Sequence, residues 1–230
     1  MFTISLANPK GGAGKTTTAR IIADTAHAMG HTVAVFDCDP LGNFKDWADH
    51  RTSLGMELPY HVRPHRDVTS LVKDIDALEA TREVEIAIID PEGSANEMIS
   101  AGLSRADVAL ITLNPSYMDA RQAIKAAQLT KDASALYGRD IPALFAFTSM
   151  VKTAISRDTM ELRETLVSNG ANLLDVPLFQ LAAYREIFTN GLLLSELKNK
   201  DRRVKAMANA ETFTRELLAK ASETKMEMAA

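Results

Sequence analysis

The segment of this sequence best suited to chemistry is a glycine-rich loop close to the N-terminus. Glycines let successive backbone N–H groups turn towards phosphate oxygens, and a helix beginning after the loop adds its positive dipole end. A lysine late in such a loop meets the β- and γ-phosphates, and the threonine after it can ligate Mg²⁺. The sequence therefore predicts an ATP and Mg²⁺ site built from Lys10, Gly11, Gly12, Ala13, Gly14, Lys15, Thr16 and Thr17.

Aspartates end two apolar segments that have the length of strands. Asp37 and Asp39 close one segment, and Asp90 closes another. In doubly wound folds, carboxylates at the carboxyl ends of central strands lie beside the phosphate loop, where they orient water or hold the Mg²⁺ shell. We predict that Asp39 and Asp90 join Thr16 around the metal, with Asp90 as the magnesium-facing carboxylate. The alternative for Asp37 and Asp39 is that they cap the following helix.

Strand-like and helical patterns alternate along the chain, which predicts an α/β fold. The apolar runs are continuous, as in strands that are buried on both faces of a parallel sheet. We predict one doubly wound domain over residues 1–222, with a mainly parallel sheet flanked by helices and a frayed tail at 223–230. The predicted strands are 3–8, 32–37, 85–90, 108–113 and 143–148, with weaker ones near 60–63 and 172–176. The predicted helices are 15–29, 68–80, 95–104, 118–137, 156–169, 181–188 and 200–222.

The composition of the sequence excludes several classes of protein. The chain has 230 residues and a formal net charge of −4, so any binding to nucleic acid requires a local basic patch. A single cysteine, Cys38, excludes an internal disulfide and a Cys-ligated metal centre within one chain. The N-terminus lacks the pattern of a signal peptide, and no apolar run reaches the ~18 residues that cross a membrane. These features predict a cytoplasmic protein without stable membrane insertion.

The phosphate loop departs from the ordinary pattern in a way that resembles one family. Pro9 stands where the ordinary loop has glycine, and Lys10 adds a second lysine. This is similar to the deviant loop of the ParA/MinD family of P-loop ATPases, especially small ParA-type partition and positioning ATPases. The resemblance implies that ATP drives homodimerisation, that Lys10 contacts the partner's ATP, and that Asp39 orients the attacking water. Slow ATP hydrolysis would be stimulated by a cargo adaptor or a centromere-binding protein.

The two acidic segments match this family to different degrees. The sequence from Asp37 to Asn43 follows the family pattern Asp-x-Asp-Pro-Gln-Gly-Asn, except that Leu41 replaces glutamine. After Asp90, the residues Glu92, Gly93 and Ser94 depart from the common pattern and resemble the VirC-type relatives that help DNA transfer. Glu92 is interpreted either as a catalytic contributor or as a solvated loop residue. The resemblance also implies adenine recognition near 148–149 and by Pro177 and Phe179, and the alternative for Phe179 is a place in the core.

A basic cluster near the C-terminus predicts nonspecific DNA binding. Two interpretations are open, a solvated helix face and a patch that contacts DNA phosphates, and the resemblance to ParA proteins favours the patch. It implies that the ATP-bound dimer binds DNA, and so the nucleoid, through Lys198, Lys200, Arg202, Arg203 and Lys205. A second cluster, Arg63, His65 and Arg66, is interpreted as a solvated loop.

Two other functions fit the same fold. A metabolic enzyme similar to dethiobiotin synthetase would need its own acid–base groups, and the five histidines form no obvious constellation. A membrane-cycling switch similar to MinD would need an amphipathic C-terminal anchor, whereas the last residues offer Met226 and Met228 but no aromatic side chain.

Overall fold

The computed structural model describes residues 1–93, 96–152 and 156–228. Within them, a single sheet of seven strands has the order β3-β2-β4-β1-β5-β6-β7, and every paired neighbour is parallel. The continuous apolar runs therefore form strands buried on both faces, as predicted. The strands are β1 Phe2–Leu6, β2 Val33–Cys38, β3 His61–Pro64, β4 Ile86–Pro91, β5 Val108–Leu113, β6 Ala143–Phe147 and β7 Asn172–Leu173.

Helices cover both faces of the sheet. One hydrophobic core joins the sheet to α1, α2, α7 and α8, and two others join its opposite face to α3, α4, α5 and α6. The predicted doubly wound α/β fold is therefore confirmed. The helices are α1 Lys15–Ala28, α2 Asn43–Ser53, α3 Val68–Thr81, α4 Asn96–Leu103, α5 Tyr117–Tyr137, α6 Arg157–Ser168, α7 Ala182–Thr189 and α8 Lys200–Met228, with a 3₁₀ turn at Leu194–Glu196.

Parallel pairing brings the functional loops to one edge of the sheet. β1 lies between β4 and β5, so the loop that follows it sits at the middle of that edge. β2 and β4 pair in a register that places Asp37 directly opposite Asp90. The two acidic strand ends are therefore neighbours beside the glycine-rich loop.

The structure differs from the predicted elements in three places. Helix α2 was not predicted, although its buried residues Phe44, Trp47, Ala48 and Arg51 follow a helical spacing. The two weak strands exist as the edge strands β3 and β7, and β7 has only two residues. Helix α8 continues to Met228 where fraying was predicted, and the Thr224 hydroxyl, 3.1 Å from Asn172 Nδ2, ties its last turns to β7. The first residue of the helix predicted at 95–104 lies outside the described residues.

Candidate nucleotide site

The glycine-rich loop connects β1 to α1 and requires glycine at its final turn. Gly14 precedes α1 with φ +84°, and a Cβ atom there would lie 2.9 Å from Thr148 Oγ1. The Thr148 hydroxyl donates to the Ala13 carbonyl at 3.2 Å. The loop is therefore held from the side by the residue that follows β6, one of the positions implicated by resemblance.

The loop after β4 packs directly on the glycine-rich loop. A Cβ atom on Gly93 would lie 2.8 Å from the Gly11 backbone nitrogen, a distance that real side chains do not adopt. Gly93 is thus a close-approach glycine that keeps the segment after Asp90 against the phosphate loop. From the sequence, this segment was interpreted as a departure from the common family pattern that resembles the VirC-type relatives, and the close approach at Gly93 was missed. Ser94 lies outside the described residues.

A cavity of about 390 Å³ opens over the loop. Its lining combines the glycine-rich loop with Asp39, Gly93, Thr148 and residues 178–181. Phe179 lines this cavity, whereas Pro177 is not among its described lining residues. From the glycine-rich loop it includes Gly11, Gly12, Gly14, Lys15, Thr16 and Thr17, while Ala13 is fully buried beneath.

The segment on the far side of the cavity is positioned by α8. Asn209 Nδ2 donates to the Pro177 carbonyl at 2.9 Å, and Asn209 Oδ1 accepts from the Phe179 N–H at 3.0 Å. The Tyr184 hydroxyl completes this group at 2.9 Å from Asn209 Oδ1. Sequence reasoning missed Asn209, which is a single polar residue in a long helix and has no motif around it.

Lys15 is a mostly buried cation that points into the loop. Its ammonium donates to the Lys10 carbonyl at 3.2 Å. Burial lowers the pKa of Lys15, and the nearby carboxylates of Asp90, Asp39 and Glu92 oppose that shift. The charge is therefore held among acidic groups at the position where the β- and γ-phosphates of a nucleotide are predicted.

Asp90 is fully buried and lacks ordinary hydrogen bonds. Neither carboxylate oxygen has a partner of full hydrogen-bond geometry among the described residues. Burial raises the pKa of Asp90 to about 7, while the nearby Thr16 hydroxyl and the Lys15 charge act to lower it. A buried carboxylate without partners is costly, so a native structure that retains one has a use for it.

Asp37 shares the burial of Asp90 but has a full set of partners. Oδ2 accepts the backbone N–H groups of Phe44 and Lys45, each at 3.1 Å, and Oδ1 accepts that of Asp39 at 3.2 Å. Burial raises the pKa of Asp37 despite these bonds. Asp37 thus caps the N-terminus of α2 and fixes the loop that carries Asp39.

Asp39 lies in this loop and lines the cavity. Its Oδ1 accepts the Leu41 N–H at 2.9 Å, and its carbonyl accepts the Gly42 N–H at 2.8 Å. The second carboxylate oxygen has no hydrogen bond to the described residues in this turn. The turn therefore uses only one oxygen of the Asp39 carboxylate and leaves the residue in the lining of the cavity.

The oxygen atoms around Asp90 suit Mg²⁺ better than a softer metal. The Thr16 hydroxyl and the carboxylates of Asp90 and Asp39 are hard ligands, and the two unpartnered oxygens of Asp90 would gain a cation. Among the described residues, no group of three or more His, Cys, Asp or Glu side chains forms a self-sufficient metal cage. Mg²⁺ bound by few carboxylates takes its other ligands from phosphates and water, so the residues fit Mg²⁺ together with a nucleotide.

Lys10 is held by an ion pair within its own chain. Its ammonium lies 3.0 Å from Asp119 Oδ2, and the Asp119 side chain is only 6% exposed. Ser116 and Asn114 also donate to this carboxylate, at 2.5 and 3.3 Å. Asp119 was not predicted as a site residue, and the signal that sequence reasoning missed is the polar run between β5 and α5.

The basic cluster lies at the start of α8 and just before it. Lys198, Lys200, Arg202 and Lys205 are exposed. The Arg203 guanidinium instead donates to the Leu197 carbonyl at 3.0 Å and is half-buried. Four of the five predicted residues are therefore available to a polyanion, with Arg202 in a loose 3.8 Å ion pair to Glu186.

Helices α1 and α2 form hydrogen bonds with the segment that precedes this basic cluster. Arg20 of α1 is fully buried and donates to the Leu192 carbonyl at 2.7 Å, while Asp24 accepts the Leu194 N–H at 3.2 Å. Arg51 of α2 binds the Gly191 carbonyl at 3.0 Å and both carboxylate oxygens of Glu196 at 2.7 and 2.8 Å. The helices that follow the phosphate loop and the Asp39 loop thus both contact residues 191–196.

The helices in the described part of the chain include none long and apolar enough to cross a membrane.

Comparisons with known proteins place this chain among nucleotide-binding proteins. The family described as CobQ/CobB/MinD/ParA nucleotide binding domain matches residues 4–157. A relative named Protein ParA, from Rhizobium radiobacter, is 30% identical over 226 residues, which cover 97% of this chain and 99% of the relative.

Solved structures show the same fold at lower identity. A McdA–ATP complex from Cyanothece has a TM-score of 0.68 at 17% identity and covers 92% of this chain and 95% of that chain. The septum site-determining protein MinD from Pyrococcus horikoshii, complexed with Mg-ADP, has a TM-score of 0.69 at 17% identity and covers 91% of this chain and 94% of that chain. The family resemblance predicted from the phosphate loop is confirmed.

Proposed function

This chain belongs to the CobQ/CobB/MinD/ParA nucleotide-binding family, and we propose that it is an ATP-dependent dimerising switch that binds DNA without sequence preference and positions a cargo. ATP is its substrate and Mg²⁺ its cofactor. The observation that carries the ATPase assignment is the buried, unpartnered carboxylate of Asp90 beside Lys15 and the glycine-rich loop. Such an arrangement is costly without a cation and a phosphate to complete it.

The residues around the cavity have different roles in phosphoryl transfer from ATP to water. Lys15 and the backbone N–H groups of the loop hold the phosphates, and Thr16 and Asp90 hold the metal. Mg²⁺ neutralises charge on the phosphate oxygens when it is bound. Asp39, which lines the cavity, orients the attacking water. The McdA–ATP and MinD–Mg-ADP structures support ATP and Mg²⁺ as the ligands of this fold.

Lys10 couples ATP binding to dimerisation. In the single chain its ammonium is paired with Asp119, and its side chain is 38% exposed at the rim of the site. A partner's triphosphate would offer this lysine a larger negative charge than one carboxylate does. We therefore expect ATP, and not ADP, to draw Lys10 from Asp119 to the partner subunit's nucleotide.

Exposed charge supports the DNA-binding part of the proposal. The chain as a whole is acidic, yet Lys198, Lys200, Arg202 and Lys205 are all exposed in the short segment at and just before the start of α8. Two such clusters on one face of a dimer neutralise several phosphates at once, whereas one cluster gains little at physiological salt. The contacts of α1 and α2 with residues 191–196 connect the nucleotide loops to this cluster.

The partner and the cargo follow from the same assignment. A switch with slow turnover needs a second protein to trigger hydrolysis, and a cargo adaptor or centromere-binding protein has that role here. The ATP-bound dimer is then nucleoid-associated, and hydrolysis releases it. The 30% identity to Protein ParA across 97% of the chain favours this assignment over a metabolic enzyme of the same fold.

Dimerisation is tested by light scattering with ATP and with ADP. Lys10→Ala should stay monomeric with ATP while its ATP affinity, measured by calorimetry, remains within about threefold of the parent, since Lys15 is untouched. Asp39→Ala should dimerise with ATP and persist, because its hydrolysis is slow. A Lys10→Ala protein that dimerises as the parent does would remove the role of Lys10 across the interface.

DNA binding is tested by fluorescence anisotropy on random-sequence duplexes across a salt series. If each subunit places ~2–4 basic residues on the backbone, the slope of log affinity against log salt should be roughly −3 to −7. Arg202→Ala with Lys205→Ala should flatten this slope and weaken all sequences alike. The matched control is Arg157→Ala with Arg215→Ala, which removes the same charge from α6 and a later turn of α8. Equal loss in both pairs would show a net-charge effect and no specific patch.

A further inference from the structure

Three basic residues after β2 separate into two groups in the structure. Arg63 and His65 both contact Asp74 of α3, at 2.6 and 2.9 Å. Arg66 turns the other way and donates from Nη1 to the Asp37 carbonyl at 3.1 Å and to the His65 carbonyl at 3.0 Å. Interpreting the cluster as a solvated loop was therefore incomplete, because Arg66 reaches the end of β2.

The Arg66 guanidinium also covers the far end of the loop that carries Asp39. Its Nη2 lies 3.3 Å from the position that a Cβ atom would occupy on Gly42, the residue before α2. Gly42 has φ +66°, a conformation that favours glycine, so the backbone turn and the close guanidinium both suit a residue without a side chain. The Arg66 guanidinium thus lies against Asp37, at the start of the loop that carries Asp39, and against Gly42, at its end.

We propose that Arg66 is a positioning residue for ATP hydrolysis. Its guanidinium holds the 37–42 loop through the Asp37 carbonyl and beside Gly42. The Asp37 carboxylate holds the same loop through backbone N–H groups. This inference rests on the proposed ATPase function and adds a residue that the phosphate-binding motifs do not contain. Asp39 lines the cavity from a turn that its hydrogen bonds with the Leu41 and Gly42 N–H groups close. Arg66 stabilises that closed turn and is not among the described residues that line the cavity.

The location of Arg66 is electrostatically unfavourable apart from these contacts. It lies near Lys45 and beside the N-terminus of α2, whose partial positive charge repels cations. The contacts that offset this repulsion are the two carbonyls and the nearby Asp37 carboxylate. Because the contacts of Arg66 are with the loop that carries Asp39, these contacts explain its location better than general solvation of a surface charge does.

The test is single-turnover ATP hydrolysis by the full chain with Arg66→Met. We expect the hydrolysis rate to fall about tenfold, since a catalytic group displaced by a fraction of an ångström loses much of its effect. ATP affinity should stay within about twofold, because the glycine-rich loop and Lys15 are intact. Arg66→Lys, which keeps the charge and one donor, should recover part of the rate.

Arg63→Met is the matched control, because it removes an arginine and an ion pair from the same edge without contact to the Asp39 loop. It should hydrolyse ATP at the parent's rate. A folded Arg66→Met protein that also does so, or an equal loss of rate in Arg63→Met, would overturn the positioning role. A parent protein that binds ATP without hydrolysing it would instead reject the proposed ATPase function, and this inference with it.

Discussion

Asp37 and Asp90 are direct neighbours in the sheet and differ in almost every contact. They pair in register on β2 and β4, and neither side chain is exposed. Asp37 accepts three backbone N–H groups, whereas Asp90 has no fully formed hydrogen bond among the described residues. Identical residues at equivalent positions therefore have different roles, and the surrounding donors decide which.

The difference separates a structural carboxylate from a functional one. A buried acid that is satisfied by N–H groups contributes to stability and gains nothing from a ligand. A buried acid without partners raises the free energy of the native state until a cation binds. Asp37 fits the first description, and Asp90 fits the second.

The substitution Asp90→Asn has the largest expected effect and tests the difference between Asp37 and Asp90 most directly. The substitution keeps the size of the side chain and removes the charge that we propose holds Mg²⁺, so the ATP hydrolysis rate should fall at least about 100-fold. The free energy of unfolding without nucleotide should stay equal or rise, because an uncompensated buried charge is removed. Single-turnover hydrolysis and urea denaturation measure the two quantities.

Asp90→Asn would contradict the assignment if it lost stability and kept its rate. That combination would make Asp90 a structural residue and would leave the metal without a protein carboxylate on β4.

The fold and the position of the glycine-rich loop between β1 and α1 were predictable because their signals are local. A glycine-rich loop between a strand and a helix is contiguous, and strands buried on both faces appear as continuous apolar runs. Helix α2 was missed although Phe44, Trp47 and Ala48 have helical spacing, since the next buried position is Arg51, a charged residue. Its burial depends on Glu196, which lies 145 residues further along the chain.

The missed site residues share this dependence on distant contacts. Lys10 and Asp119 are 109 residues apart, and Arg66 and Asp37 are 29 apart. Gly93 is recognisable only when it lies against Gly11. No local pattern predicts these pairs, because sheet order and strand register bring them together.

Asp37→Ala should give the opposite result to Asp90→Asn in stability. It leaves the N–H groups of Asp39, Phe44 and Lys45 without their acceptor, which should lower the free energy of unfolding by about 1–3 kcal/mol. The rate of hydrolysis should fall as well, because the Asp39 loop loses its inner support. Urea denaturation compares this variant with the parent.

Asp37→Asn is the control for this result, since it keeps an acceptor oxygen and should lose less stability than Asp37→Ala. Equal stability of all three proteins would show that the three hydrogen bonds to Asp37 contribute nothing.

The smallest effect is the part of the pH dependence of stability that comes from Asp90. Burial raises the pKa of Asp90 to about 7 in the folded chain, whereas an unfolded aspartate titrates near pH ~4. Between these values the folded state binds more protons than the unfolded state, so the contribution of Asp90 to the free energy of unfolding falls as pH rises. The slope reaches at most about 1.4 kcal/mol per pH unit. Urea denaturation from pH 5 to 8, with EDTA and without nucleotide, measures it as the difference between the parent and Asp90→Asn.

Taking this difference isolates Asp90 from groups that act with the opposite sign. Burial acts to raise the pKa of Asp119, but hydrogen bonds from Ser116 and Lys10 lower it overall, and Arg51 lowers the pKa of Glu196. The contributions of both groups to stability are therefore lost as pH falls. Both groups remain in Asp90→Asn and cancel when the two curves are subtracted. The parent should therefore gain stability relative to the variant as pH falls from 7 towards 5. Parallel curves would mean that Asp90 is ionised in the nucleotide-free protein and has an unrecognised partner, which would remove the difference between the two strand ends.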